Sequence, residues 1–221
     1  MGTREDILAR IRAARADVAG DEPAGSMPIP RGYLRSRPSA EGDVARFCER
    51  VSDYRAQVER VPADQVASAV SRALGSFGAR RVAFAEDLPS GWRPGRAEDG
   101  MEVVRDTAEA PLDVAGLQNL DAVITGAAVG IAETGTVVLD GRPQCGRRAL
   151  TLVPDAHVCV IAAGDIVDDV PAAVARLEPG RPLTWISGPS ATSDIELERV
   201  EGVHGPRRLH VIVVDSALGV D

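Results

Sequence analysis

One rhythm constrains this chain more than any other feature: a segment with helical apolar spacing, a short turn, then a brief β-branched run. After Ser39, Val44, Phe47, Cys48, Val51, Tyr54 and Val58 recur at steps of three and four, and Pro62 closes the segment. Val66, Val70, Leu74 and Phe77 mark the next helix, with Gly78 placed to end it, and residues 81–85 read as a buried strand. Further strands are expected at 102–104, 121–125, 128–132, 136–139, 149–153, 157–162, 183–187 and 208–214. Short helices are expected at 113–120 and 194–200. A longer one through Val170, Ala173, Val174 and Leu177 starts at Asp165 or Asp168. This alternation predicts an α/β fold in three layers: a mostly parallel sheet flanked by helices, with an antiparallel insertion around 128–153.

Ahead of that body, Ile7, Leu8, Ile11, Ala14 and Val18 share a helical face behind a Thr3/Asp6 capping pattern. Residues 20–38 then carry Pro23, Pro28, Pro30 and Pro38 with three glycines, which predicts an extended arm. The expected division is 1–38 for helix and arm, and 39–221 for the α/β domain. The first residues are charged from Arg4 with no apolar segment behind them, so no signal peptide is expected. The longest apolar stretch, 122–132, stops at Glu133 and is too short for a bilayer. A cytoplasmic protein with no membrane partner is the reading.

Charge narrows the chemistry. The chain carries 25 cations against 33 acids, a net charge of −8, with only 3% aromatic residues, which leaves neither basic patch nor stacking platform for nucleic acid. Every cation is arginine, since the sequence holds no lysine. A Walker-type phosphate loop and Schiff-base chemistry both need that amine and are excluded. An anion must be gripped by arginine forks, backbone amides or helix N-termini. Cys48, Cys145 and Cys159 are scattered without cluster or zinc spacing, and Cys48 falls on the apolar face of its helix. No metal or cofactor is expected in this chain.

Three short runs can carry chemistry. Glu133-Thr134-Gly135 interrupts an apolar strand pair, where the carboxylate serves as acid, base or nucleophile, or simply faces solvent at a hairpin tip. In residues 186–196, Gly188-Pro189-Ser190 follows a strand and Asp194 precedes a helix start, the arrangement that places ligand-binding amides at the carboxyl ends of strands. His204 lies between Gly202 and Gly205 before the last strand and is free to titrate near neutrality. His210 reads as structural, whereas His157 supports either reading. Arg148, or its neighbour Arg147, is the expected fork for a small carboxylate. These side chains are expected to line one cleft, with Glu133 and His204 catalytic and Thr134, Gly135, Arg147, Arg148, Gly188, Ser190 and Asp194 binding substrate.

The runs together resemble the lactate-utilisation protein C family, the small clusterless members of the LUD-domain group. The resemblance rests on Gly126 with residues 131–136; on Arg148, Leu150, Pro154 and His157; on Gly188-Pro189-Ser190 with Asp194-Ile195-Glu196; and on residues 202–206. It implies a fold like that of the ribose-5-phosphate isomerase, glucosamine-phosphate deaminase and CoA-transferase superfamily. It also implies a role in oxidising L-lactate to pyruvate beside iron–sulfur lactate-utilisation proteins, with the clusters in those partners and a small carboxylate as ligand. Two other readings remain open: an assembly module with a vestigial pocket, and an autonomous acyl-CoA or sugar-phosphate transferase or isomerase. The glutamate of CoA transferases is usually followed by Asn, where this chain has Thr134.

Overall fold

A computed structural model describes residues 3–14, 32, 42–94, 100–192, 200–201 and 205–215. The chain divides into two units, Met1–Arg35 and Ser36–Asp221. In the first, α1 (Thr3–Ala14) leaves Ile7, Leu8 and Ile11 exposed. Val18 and all of the proline-rich arm except Gly32 lie outside the described residues.

The second unit opens with α2 (Val44–Asp53), whose N-terminus is capped by the Asp43 carboxylate accepting from the Arg46 amide and whose inner face buries Phe47 and Val51. Arg55 adopts φ +66 and ends the helical path, so Val58, expected on that helix, lies instead in β1 (Gln57–Val61). The helical step through Val58 was coincidental, because one left-handed residue restarts the register. Next come α3 (Val66–Phe77), ended by Gly78 at φ +65, then β2 (Arg81–Phe84) and β3 (Glu102–Arg105). Asp113 caps α4 (Val114–Gln118), which leads into β4 (Ala122–Gly126), β5 (Val129–Ile131) and β6 (Thr136–Leu139).

Residues 149–153, expected as a strand, form α5 (Arg148–Leu152). Leu150 and Thr151 are buried while Leu152 and Val153 are exposed, a two-in, two-out pattern that fits a helix and not a strand's alternation. Five residues, four of them apolar around Thr151, carry too little periodicity to decide. The remaining elements are β7 (Ala156–Ala162), β8 (Ile166–Val167), α6 (Val170–Arg176), β9 (Thr184–Ile186), β10 (Ala191–Thr192), β11 (Val200–Glu201) and β12 (Arg208–Val214). Asp169, and neither Asp165 nor Asp168, caps α6 by accepting from the Ala172 amide. The helix expected at 194–200 falls outside the described residues, except that Val200 belongs to β11.

The main sheet has six strands in the order β1-β12-β7-β4-β2-β3, and every pair is parallel. A second sheet, β8-β5-β6-β9, holds the antiparallel insertion. The central strands β4 and β7 are buried from both sides, as the middle of an all-parallel sheet must be, while the edge strands β1 and β3 are largely exposed. On one face α3 packs through Val66, Val70 and Leu74 against Ile124, Val158, Val160 and Ile212. On the other, Phe47 and Val51 of α2 and Val137 and Leu139 of the second sheet cover Cys159, Ile161, Val211 and Val213. Leu117 of α4 and Leu150 of α5 close the same face over Ala83 and Val123. Each fully buried Val, Leu or Ile side chain stabilises the fold by about 1.5–3 kcal/mol relative to exposure. The architecture is the α/β arrangement expected, with α6 packed on the outer side of the second sheet through Ala173.

Candidate functional site

Because β9 pairs with β6 in the second sheet, the chain leaving it does not emerge at the carboxyl edge of the parallel sheet. It passes over the opposite edge, where β7 and β12 begin. Gly188 turns the chain at φ +85, and a Cβ there would lie 2.6 Å from the Tyr54 Cβ, so glycine is required both for the turn and for the close approach. The Ser190 amide then donates to the Pro206 carbonyl at 2.8 Å, tying this loop to the one before β12. Beneath the two loops lies a pocket of about 220 Å³. Its walls include Thr151 and Leu152 from the end of α5, Trp185 from β9, Ser187 and Ser190, with His157 and Leu209 from the starts of β7 and β12.

The polar groups are neutral. Oγ of Ser187 lies 2.7 Å from Oγ1 of Thr136, and that hydroxyl lies 2.7 Å from Oγ1 of Thr134. A chain of three hydroxyls therefore runs from the β5–β6 turn to the pocket. His157 is 1% exposed, and its Nε2 shares a 2.8 Å hydrogen bond with the Thr125 hydroxyl. Burial pushes its pKa down to about 4, so the imidazole is uncharged at neutral pH. Nδ1 of the ring is buried without a partner.

A second concavity, about 250 Å³, lies at the carboxyl ends of β2 and β3 and is lined by Glu86, Asp106, Thr107, Gly146 and Arg147 among others. There Arg147 donates from Nε and Nη2 to the two Asp106 oxygens, both at 2.8 Å, and from Nη2 to the Leu112 carbonyl at 2.5 Å. Asp106 accepts in addition from the Leu112 amide at 2.8 Å. This bidentate pair holds the Arg147 cation, and Asp106 raises its pKa further.

Three comparisons identify the relatives. A model of the LUD domain matches residues 115–214. A protein of Deinococcus radiodurans called "Lactate utilization protein C" is 46% identical over 216 residues, spanning 96% of this chain and 97% of its own. The chain belongs to the lactate utilization protein C family. A member of that name from Halalkalibacterium halodurans is 30% identical over 202 residues, 85% of either chain. A crystal structure of a DUF162 family protein from Deinococcus radiodurans superposes with a TM-score of 0.64 at 45% identity, covering 77% of this chain and 95% of that one.

In this chain the residues singled out in the sequence do not gather in one cleft. Gly188 and Ser190 line the pocket beside β12. Arg147 lies in the other concavity with its fork filled by Asp106, and Arg148, exposed at the first position of α5, lines neither. Glu133 is exposed at the β5–β6 turn, where its amide donates to the Asp168 carbonyl. Gly135 takes φ +59 at that turn, with a would-be Cβ 2.6 Å from the Arg50 carbonyl carbon; Thr134 contributes its hydroxyl to the chain just described. Asp194 and His204 lie outside the described residues. The sequence left His157 undecided, and Thr136 and Ser187, though inside the quoted runs, were given no role. A buried-strand histidine within an otherwise apolar run, residues 156–162, was the available signal.

Proposed function

We propose that this chain is the clusterless component of an iron–sulfur-dependent system that oxidises L-lactate to pyruvate, and that its pocket holds a small carboxylate. The observation that carries the reading is the pocket beneath Ser187–Ser190, in a chain whose relatives share the lactate-utilisation name. The Ser187 hydroxyl is the group offered to the ligand, and Thr134 and Thr136 orient it from behind. Removing two electrons from lactate needs redox centres. The thiols of this chain are poor candidates to ligate them: Cys145 and Cys159 are buried, and desolvation pushes both pKa values up to about 12. Partner iron–sulfur proteins therefore hold the clusters in this reading.

The filled fork of Arg147 favours a second reading, a module that organises those partners without binding substrate. Both are tested by deleting the gene from a strain with no other lactate dehydrogenase. Growth on L-lactate should be lost and growth on pyruvate spared; normal growth on lactate would overturn both readings. Full complementation by a folded Gly188→Ala or Ser190→Ala variant that no longer binds L-lactate would favour the module.

A further inference from the structure

The chain leaving β2 turns outward to β3 at one edge of the main sheet, whereas the chain leaving β4 returns through β5, β6 and α5 to β7 on the other side. Neighbouring strands whose connections depart in opposite directions open a crevice at their carboxyl ends, and in parallel sheets ligands bind there. The concavity of about 250 Å³ is this crevice. Glu86 follows β2, Thr107 follows β3, and Gly146 and Arg147 come from the β6–α5 loop. That loop is tied to the end of β4, where the Gly126 amide donates to the Gln144 carbonyl at 2.8 Å. The volume lies below the roughly 300–1,000 Å³ of pockets for drug-sized ligands, so the occupant is small.

The groups left over define the chemistry of that occupant. Asp106 and the Leu112 carbonyl take Nε and Nη2 of Arg147, and its Nη1 makes no hydrogen bond among the described residues. The side chain is 37% exposed and already held, so donating from Nη1 costs little further ordering. Glu86 accepts through Oε2 from the Ala108 amide at 3.4 Å, while its Oε1 has no partner among the described residues. The Thr107 oxygen accepts from the Ala110 amide and keeps a proton to donate. An anion entering here meets two carboxylates against one guanidinium. An ammonium satisfies Glu86 but faces a second donor in Arg147. A hydroxyl donates to one and accepts from the other.

We propose that this crevice is a second binding site, for the adjacent hydroxyls of a small uncharged polyol or sugar. Glu86 accepts from the ligand, Arg147 donates through Nη1, and Thr107 completes the set. The site is separate from the pocket beneath Ser187–Ser190 and does not depend on the reading of that pocket.

The experiment is amide and arginine Nε–H NMR on the isotope-labelled full chain, titrated separately with D-ribose, propionate, methylammonium and acetamide. D-ribose should shift the Thr107 and Gly146 amides and the Arg147 Nε–H, and the other three should not. Glu86 is partly exposed and holds one long contact, so Glu86→Ala should keep the wild-type spectrum elsewhere. It should bind D-ribose roughly tenfold to hundredfold more weakly, the loss of a charged hydrogen bond. If D-ribose moves none of these resonances, or binds Glu86→Ala as tightly as wild type, the site is overturned. Equal shifts from propionate, methylammonium or acetamide overturn its hydroxyl chemistry. The lactate reading is decided separately, by the growth of the deletion strain.

Discussion

Protonating His157 should unfold this protein from within its main sheet. The ring sits on β7, between β4 and β12, and the cause of its lowered pKa is desolvation. In the unfolded chain an ordinary histidine titrates near about 6.5. Between that value and about 4 the unfolded chain binds a proton that the folded chain refuses, so stability falls as pH falls. Above the unfolded value both states hold a neutral ring, and the linkage vanishes. With those two pKa values, acidifying from about pH 7.5 to about pH 4.5 removes about 2–3 kcal/mol through this residue alone. Urea unfolding at both pH values measures the total loss, which includes other groups. The same pair of measurements on His157→Gln isolates the histidine, because glutamine can still meet Thr125 and does not titrate. The difference between pH values should be smaller in the variant by that amount. His210, whose pKa is also lowered, chiefly by burial, serves as the comparison through His210→Gln. Equal acid sensitivity in wild type and His157→Gln would refute the argument that an uncharged buried imidazole lies at the start of β7.

Two further substitutions test the loops. Asp106→Ala removes a carboxylate, 3% exposed, that accepts from Arg147 and from the Leu112 amide; since Arg147 is 37% exposed and can rehydrate, a loss of about 2–4 kcal/mol is expected in urea unfolding. An unchanged midpoint would show that the pair is incidental. Gly188→Ala forces a side chain into φ +85 and against Tyr54, so it should destabilise by more than the roughly 1–2 kcal/mol of left-handed strain and abolish L-lactate binding. Wild-type stability and affinity in that variant would mean that the turn is not built as described.

The elements legible in the sequence were those with enough length to show a period. α3 and its glycine stop, the apolar runs of β4, β7 and β12, and the antiparallel pair β5–β6 all follow from spacing and turn residues. β1 and α5 did not, for opposite reasons: β1 continued the apolar steps of the helix before it, and α5 is only five residues long, too short to show a period. The site was harder to read because it depends on which sheet a strand joins. Nothing within residues 183–190 says that β9 pairs with β6 and not with the main sheet, yet that pairing moves Gly188 and Ser190 from one edge of the molecule to the other. Loop chemistry was visible, but its neighbours were not.

The separation of the arginines from the pocket has the same origin, and α5 makes it concrete. Its N-cap, Arg147, stands on the side where β3 ends and Asp106 waits; its last residues, Thr151 and Leu152, line the pocket. Five helical residues advance about 7.5 Å, enough to place the two ends in different environments. Adjacent positions in the sequence thus serve different concavities, and the cation expected to grip a ligand instead holds down the loop after β3. The pocket's described walls carry hydroxyls, amides and an uncharged imidazole, and no charged side chain. A carboxylate entering it is met by fixed dipoles.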